Sequence, residues 1–291
     1  MTARYLPRDD EQTFAPPYVQ AGCALFGFAL PADRARLQRI VDRLIAEPSG
    51  GRVRAQVEAG HVLLYFCDFA RSHSADPIDA HRGWLGEREC GIWVPIRRPE
   101  SRGPSFFVHA MIVDSGPAMC SGRELLGFPK QLGRIELSRD PARAALLAVD
   151  TLTTGDRRAE AGRWQPLIEL ERIDPVIDRD DQGSRLADLG LAAELLGADR
   201  PLDAARRAGR GQAEFINLKQ FRDAADPSLA CYQAIVSAEA RLLGLTRVAA
   251  TDGYAYRIAR SLVDALGLPK AGRTRGLFCE FDFVLAHKET L

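Results

Sequence analysis

Apolar residues recur along the chain in two periods, and the changes between them mark its elements. Residues 20–30 form an apolar run rich in Phe and Leu that predicts a strand, and Pro31-Ala32-Asp33 predicts a helix start. That helix gathers Leu37, Ile40, Val41, Leu44 and Ile45 on one face and stops at Pro48-Ser49-Gly50-Gly51, so it is expected to cover a sheet. Strand patterns follow at 52–57, 61–69, 91–97, 105–113, 134–138, 144–152 and 165–171, punctuated by Gly and Pro. Short strands in series predict an antiparallel sandwich or barrel. Two more strands are expected at 230–238 and 276–286. The second alternates Leu277, Cys279, Phe281 and Phe283 against Phe278, Glu280, Asp282 and Val284, so it is largely buried and closes the sheet. The expected class is α+β, a mainly antiparallel barrel or sandwich with flanking helices.

The polar segments set the organisation. Residues 1–17 are polar and proline-containing and read as an irregular N-terminal arm. Residues 174–212 combine an acidic loop, a run from Leu186 to Leu196 at helical spacing and an arginine cluster near Arg206 to Arg210. This stretch is expected to be an insertion within one domain spanning residues 1–291. Asp178 to Gly183 resembles the start of a calcium loop, but Gln182 replaces a ligand and Leu189 stands where the bidentate glutamate belongs, so no metal is expected.

Composition then narrows the function. A 291-residue chain that is 46% hydrophobic with zero formal net charge is expected to fold, and gives no electrostatic reason to bind nucleic acid or an anionic membrane. No apolar run is long enough to span a bilayer and no signal region opens the chain, so the expected location is the cytoplasm. Six scattered cysteines without a C-x-x-C pair are expected to be reduced, mostly buried thiols. Phosphate-loop, dinucleotide, nucleophile-elbow and H-E-x-x-H motifs are all missing.

What remains is a lysine in an unusual setting. Only four of the 39 basic residues are lysine, so arginine does most surface work, yet Lys130 sits among Leu126, Phe128, Pro129 and Leu132. It is either a solvated turn lysine or an amine that loses its proton on desolvation and attacks a carbonyl. Glu87-Arg88-Glu89, before the strand at 91–97, is either a solvated strand end or a source of a pocket carboxylate. Glu124 is either a partner for a nearby arginine or a pocket residue.

The segment Gly116 to Gly133, containing Gly122-Arg123-Glu124 and Phe128-Pro129-Lys130-Gln131, resembles the active-site segment of the acetoacetate decarboxylase family. Further matches are Pro17-Tyr18, Val94-Pro95-Ile96 and Phe281-Asp282-Phe283, and the resemblance extends over residues 16–288. It implies that Lys130 is the Schiff-base lysine, and that Glu89, counted back from Val94-Pro95-Ile96, is the acid/base glutamate. Phe128, Glu124, Gln131 and Tyr65 are then expected around the substrate. Gln131 replaces the family's second lysine, the stretch 19–26 lacks its arginine, and a second pocket glutamate is missing, with Tyr65 or Asp68 near its place. With no neighbouring ammonium, burial would have to destabilise the Lys130 ammonium by about 5 kcal/mol to bring its pKa from ~10.4 to roughly 6–7.

The resemblance implies a cofactor-free lyase that acts on a small keto acid and assembles as a homo-oligomer. Decarboxylation of a β-keto acid through an imine is the first expectation, and aldolase-dehydratase chemistry on pyruvate or a related keto acid is the alternative. A non-catalytic small-molecule-binding barrel is the alternative of another class.

Overall fold

The computed structural model describes residues 4–8, 10–101, 103–153, 162–173 and 211–291. Residues 174–210 of the expected insertion lie outside the described residues. Eleven strands of the described residues form one mixed sheet: β1 (Tyr18–Pro31), β2 (Gln56–Val57), β3 (His61–Ser74), β4 (Leu85–Arg97), β5 (Ser105–Val113), β6 (Lys130–Glu136), β7 (Leu146–Thr153), β8 (Arg163–Arg172), β9 (Gln212–Arg222), β10 (Ala230–Ile258) and β11 (Ala271–Thr290). Their order is β2-β4-β3-β1-β11-β10-β8-β7-β6-β5-β9, and further β4–β5 and β10–β9 pairings close the sheet on itself. All pairs are antiparallel except β5–β6 and β5–β9. Those two share one edge of β5, with β6 against Met111 to Val113 and β9 against Ser105 to Phe107. Closure of this kind leaves few backbone groups without a ladder partner.

Among the described residues three α-helices accompany the sheet: α1 (Arg34–Val41), α2 (Gly116–Leu126) and α3 (Arg260–Leu266). Asp33 caps α1 by accepting from the Ala35 and Arg36 amides, and a π-helical turn Asp42–Ala46 continues it. Leu37, Val41 and Ile45 are buried on its inner face, with Ile40 and Leu44 packed beside them. Among the described residues no helix is long and apolar enough to cross a membrane.

Both faces of the central strands are buried, and each faces a different core. On β3, Val62, Leu64 and Phe66 enter the larger core, while Leu63, Tyr65, Cys67 and Phe69 enter a second, aromatic one. That second core also holds Phe106, Phe128, Phe215 and Leu277, with Trp93 against it. Trp93 packs tilted against Tyr65 at 4.2 Å and edge-on against Phe215 at 4.9 Å between ring centroids.

Several expected bounds are corrected. The strand expected at 52–57 pairs only at Gln56–Val57, because Ser49 and Gln38 take backbone groups of Val53 and Val57. The strand expected at 91–97 begins at Leu85, which brings Glu87 and Glu89 into the sheet. The last two strands run far past their expected ends, to Ile258 and Thr290. Helix α2, which carries most of the Gly116–Gly133 motif, was not expected. All six cysteines are free, and Cys231 departs from the expected burial by being exposed.

Candidate active site

The site is built from one row of cross-strand partners facing the aromatic core: Tyr65 on β3, Gly91 on β4, Met111 on β5 and Lys130 at the start of β6. Glu89 lies two residues from Gly91 along β4 and Glu87 two further, so strand alternation sends both carboxylates to the Lys130 side. Arg88 points to the other face and pairs with Asp68 at 3.2 Å. At Gly91, any Cβ would collide with the Tyr65 ring. The missing side chain lets the phenol cross β4 and donate its hydroxyl hydrogen bond to Glu89.

The turn before β6 fixes the lysine. Ser115 caps α2 by accepting from the Ala118 amide, and Gly127 ends it at φ +67. A Cβ on Gly127 would crowd Val236 and Lys219, so the left-handed end and the close approach both require glycine. Pro129 then leads directly into β6. On the facing side of α2, a Cβ on Gly122 would sit 2.6 Å from Lys130 Cδ and 2.9 Å from Cε, so the lysine stem lies on that glycine. Arg123 donates to the Lys130 carbonyl at 3.0 Å. Glu124 accepts from Thr13 of the N-terminal arm at 3.4 Å. Arg123, Glu124 and Gly127 therefore shape the seat of Lys130 and lie off the cavity wall, which Gly122 helps to line.

A variant follows from this packing. Gly122→Ala is expected to leave thermal stability nearly unchanged, because the flexible stem can move, yet to displace Nζ from its carboxylate and lower turnover at least about tenfold. Melting curves and turnover measured side by side check it. A large loss of stability with unchanged turnover would contradict it.

Lys130 is 8% exposed, and Glu87 and Glu89 are each 6% exposed. Nζ lies 2.8 Å from Glu89 Oε2 and 4.0 Å from Glu87 Oε1. Burial works against the Lys130 ammonium, but Glu89 and Glu87 outweigh it and hold the pKa above the ordinary lysine value. This corrects the expectation that burial leaves the resting amine neutral. Glu87 is the second pocket glutamate that sequence reading missed; neither Tyr65 nor Asp68 takes that role, and Asp68 instead pairs with Arg88 and Arg139. Burial pushes the Glu87 carboxyl up to about 7, with Lys130 opposing the rise and Glu89 adding to it. Burial also raises the Tyr65 phenol well above its usual range, and Glu89 reinforces this.

The Glu87 shift has a measurable consequence. A carboxyl raised above its unfolded value binds a proton more tightly when folded, so its contribution is fully present below about pH 4.5 and is lost as pH rises through about 7. The span corresponds to roughly 3 kcal/mol. Glu87→Gln is expected to flatten the fall in melting temperature between pH 5 and 8. A wild-type melting temperature that does not fall across this range would contradict the assignment.

The cavity in front of Lys130 is lined by Tyr18, Gln20, Ser72, Leu85, Glu87, Ala118, Ser121, Gly122, Leu126, Phe128 and Leu285. Its volume is about 40 Å³, room for roughly two or three waters. Of the expected pocket residues, Phe128 lines it and Tyr65 stands behind Glu89. Gln131 is exposed and lies off the cavity, because the residue after Lys130 on β6 points the other way. Among the described residues the arginine missing from 19–26 is not replaced, since none of them that lines this cavity is an arginine. In an adjoining recess Arg82 is held over the Phe14 ring at 4.4 Å and bonds the Thr13 carbonyl and Asp79. The Phe281-Asp282-Phe283 match has a local role: Asp282 accepts from the Gly22 amide at 2.6 Å, clamping a bulge in β1 between Gln20 and Cys23.

A closed mixed sheet that buries one lysine between two carboxylates beside a small cavity is an enzyme-type site, and comparison with known proteins agrees. The family model for acetoacetate decarboxylase matches residues 2–253, and the chain belongs to the acetoacetate decarboxylase family. Among solved structures it is similar to the acetoacetate decarboxylase of Legionella pneumophila, with TM-score 0.60 and 14% identity over 99% of this chain and 92% of that one. It is also similar to an acetoacetate decarboxylase-like enzyme from Sphingomonas wittichii RW1, with TM-score 0.57 and 16% identity over 100% and 99% of the two chains. The enduracididine biosynthesis enzyme MppR complexed with pyruvate gives TM-score 0.54 and 12% identity over 97% and 93%. At these identities the likeness carries the fold. No curated protein matches the chain.

Proposed function

We propose that this protein is a Schiff-base lyase acting on a small keto acid, with Lys130 as nucleophile and Glu89 as its proton partner. The observation that carries this reading is the 2.8 Å contact of the buried Lys130 Nζ with Glu89 at the edge of a cavity. In the resting site the lysine is an ammonium and does not attack. Transfer of its proton to Glu89 frees the amine, which adds to the substrate ketone; loss of water from the adduct leaves a protonated imine. For a β-keto acid, the bond to the carboxylate then breaks, carbon dioxide leaves, and the electron pair moves into the imine to give an enamine. A protonated carboxyl returns a proton to the enamine carbon, and Glu87, with a pKa of about 7, holds one in much of the population at neutral pH. Hydrolysis releases the ketone and the lysine.

One observation favours a second reading. Among the described residues no arginine lines the cavity to hold the carboxylate of a β-keto acid at the bond that would break, which leaves room for aldolase-dehydratase chemistry, in which the enamine adds to an aldehyde and water is eliminated. MppR, named above, has also been observed complexed with the condensation product of pyruvate and imidazole 4-carboxaldehyde. The two readings separate on product. Carbon dioxide release from acetoacetate at a rate dependent on Lys130 supports decarboxylation. Condensation of pyruvate with an aldehyde, and no carbon dioxide, supports the second and overturns the first.

A further inference from the structure

We propose that Gln20 is a specificity-determining residue that holds a hydroxyl group of the substrate, so that the cavity selects hydroxylated ketones and keto acids; this rests on the Schiff-base reading of Lys130. Gln20 lies on β1 just before the bulge clamped by Asp282, and its side chain lines the same cavity as Lys130. It is 5% exposed, yet its Oε1 has no hydrogen-bond partner. Burying an amide oxygen unpaired is costly and rare. The fold does not explain it, because the Gln20 backbone is already placed in the ladder between Phe283 and Ser72.

The rest of the lining narrows what the amide is for. The Tyr18 hydroxyl is spent on the Phe14 carbonyl at 2.6 Å, and the Ser121 hydroxyl accepts from the Phe14 amide at 3.0 Å. Among the described residues Lys130 is the one basic residue on the wall and is engaged with Glu89, while Glu87 adds a carboxyl. A second anion at Gln20 would meet a carboxyl and no free cation. A hydroxyl is neutral, and because it both donates and accepts it satisfies either end of the carboxamide, whichever way that group is turned. The aldol adduct of a keto acid and an aldehyde carries such a hydroxyl.

The test is borohydride trapping on Lys130 with two neutral ketones of equal size, 4-hydroxy-2-butanone and 2-pentanone, titrated separately. In the wild type the hydroxylated ketone is expected to half-saturate trapping at about tenfold lower concentration. In Gln20→Leu the two are expected to fall within about twofold of each other, with the melting temperature unchanged or raised because an unpaired buried amide has been removed. Gln20→Met, of similar length, gives the same comparison should the leucine variant fold poorly. Equal trapping of both ketones by the wild type, or a preference that survives in the variants, overturns the role of Gln20 and leaves the Lys130 reading intact. Failure of both ketones to label Lys130 overturns both.

Discussion

Lys130→Arg is expected to abolish turnover, by at least about 10⁴-fold, while the protein remains folded. Arginine keeps the positive charge that Glu87 and Glu89 require, but it stays protonated and forms no imine. Lys130→Ala should behave differently. It leaves two carboxyls, each 6% exposed, without their cation, a loss of roughly 3–5 kcal/mol when a buried pair is broken. The penalty depends on pH with a definite sign. Removing the cation raises the Glu87 pKa further, so alanine should be most destabilising above neutrality and recover as acid protonates the pair. Urea unfolding at pH 5 and pH 8, with product formation, separates these variants. Wild-type turnover in the arginine variant would sink the nucleophile assignment.

Glu89→Gln is expected to lower turnover by about 10²–10⁴-fold, the usual worth of a positioned acid/base group. The glutamine can still accept from Tyr65, so the fold around it is retained. Glu89 is the nearer of the two carboxylates that hold the Lys130 pKa up. Its removal should therefore lower that pKa and shift the lysine-dependent limb of the pH–rate profile toward acid. A variant that is slower but keeps the wild-type profile would show that Glu89 acts on the fold and not on the proton of Lys130.

Periodicity revealed the elements with a single strong signal. The apolar stripe from Leu37 to Ile45 and the alternation of β11 needed no tertiary information. Other features were set by the closed sheet. The Leu85 start of β4 was hidden because Leu85 to Cys90 carries three consecutive charges, Glu87, Arg88 and Glu89, as an exposed strand end would. Glu87 and Glu89 turn toward Lys130 because β3 pairs with β4 from Leu85 on and β5 joins from Glu89 on. With β4 begun at Leu85, a period of two would have put Glu87 and Glu89 on one face and exposed the missed second glutamate. The charge state of Lys130 was equally hidden, since its apolar sequence neighbours suggested desolvation while the deciding carboxylates lie some forty residues away in the chain. Gln131 was assigned to the pocket from its place next to Lys130, whereas strand geometry turns adjacent residues to opposite faces. Gln20 had no sequence signal at all: its meaning lies in a buried, unpaired oxygen on a side chain that lines the cavity.

The central claim is that Lys130 forms an imine with a ketone. Borohydride reduction in the presence of acetoacetate and, separately, pyruvate, followed by intact mass and peptide mapping, tests it most directly. The account predicts one covalent adduct per chain, mapped to Lys130 and missing from Lys130→Arg. A protein that binds these ketones without labelling Lys130 would contradict it, and would favour a binding barrel in which the buried lysine only balances two carboxylates.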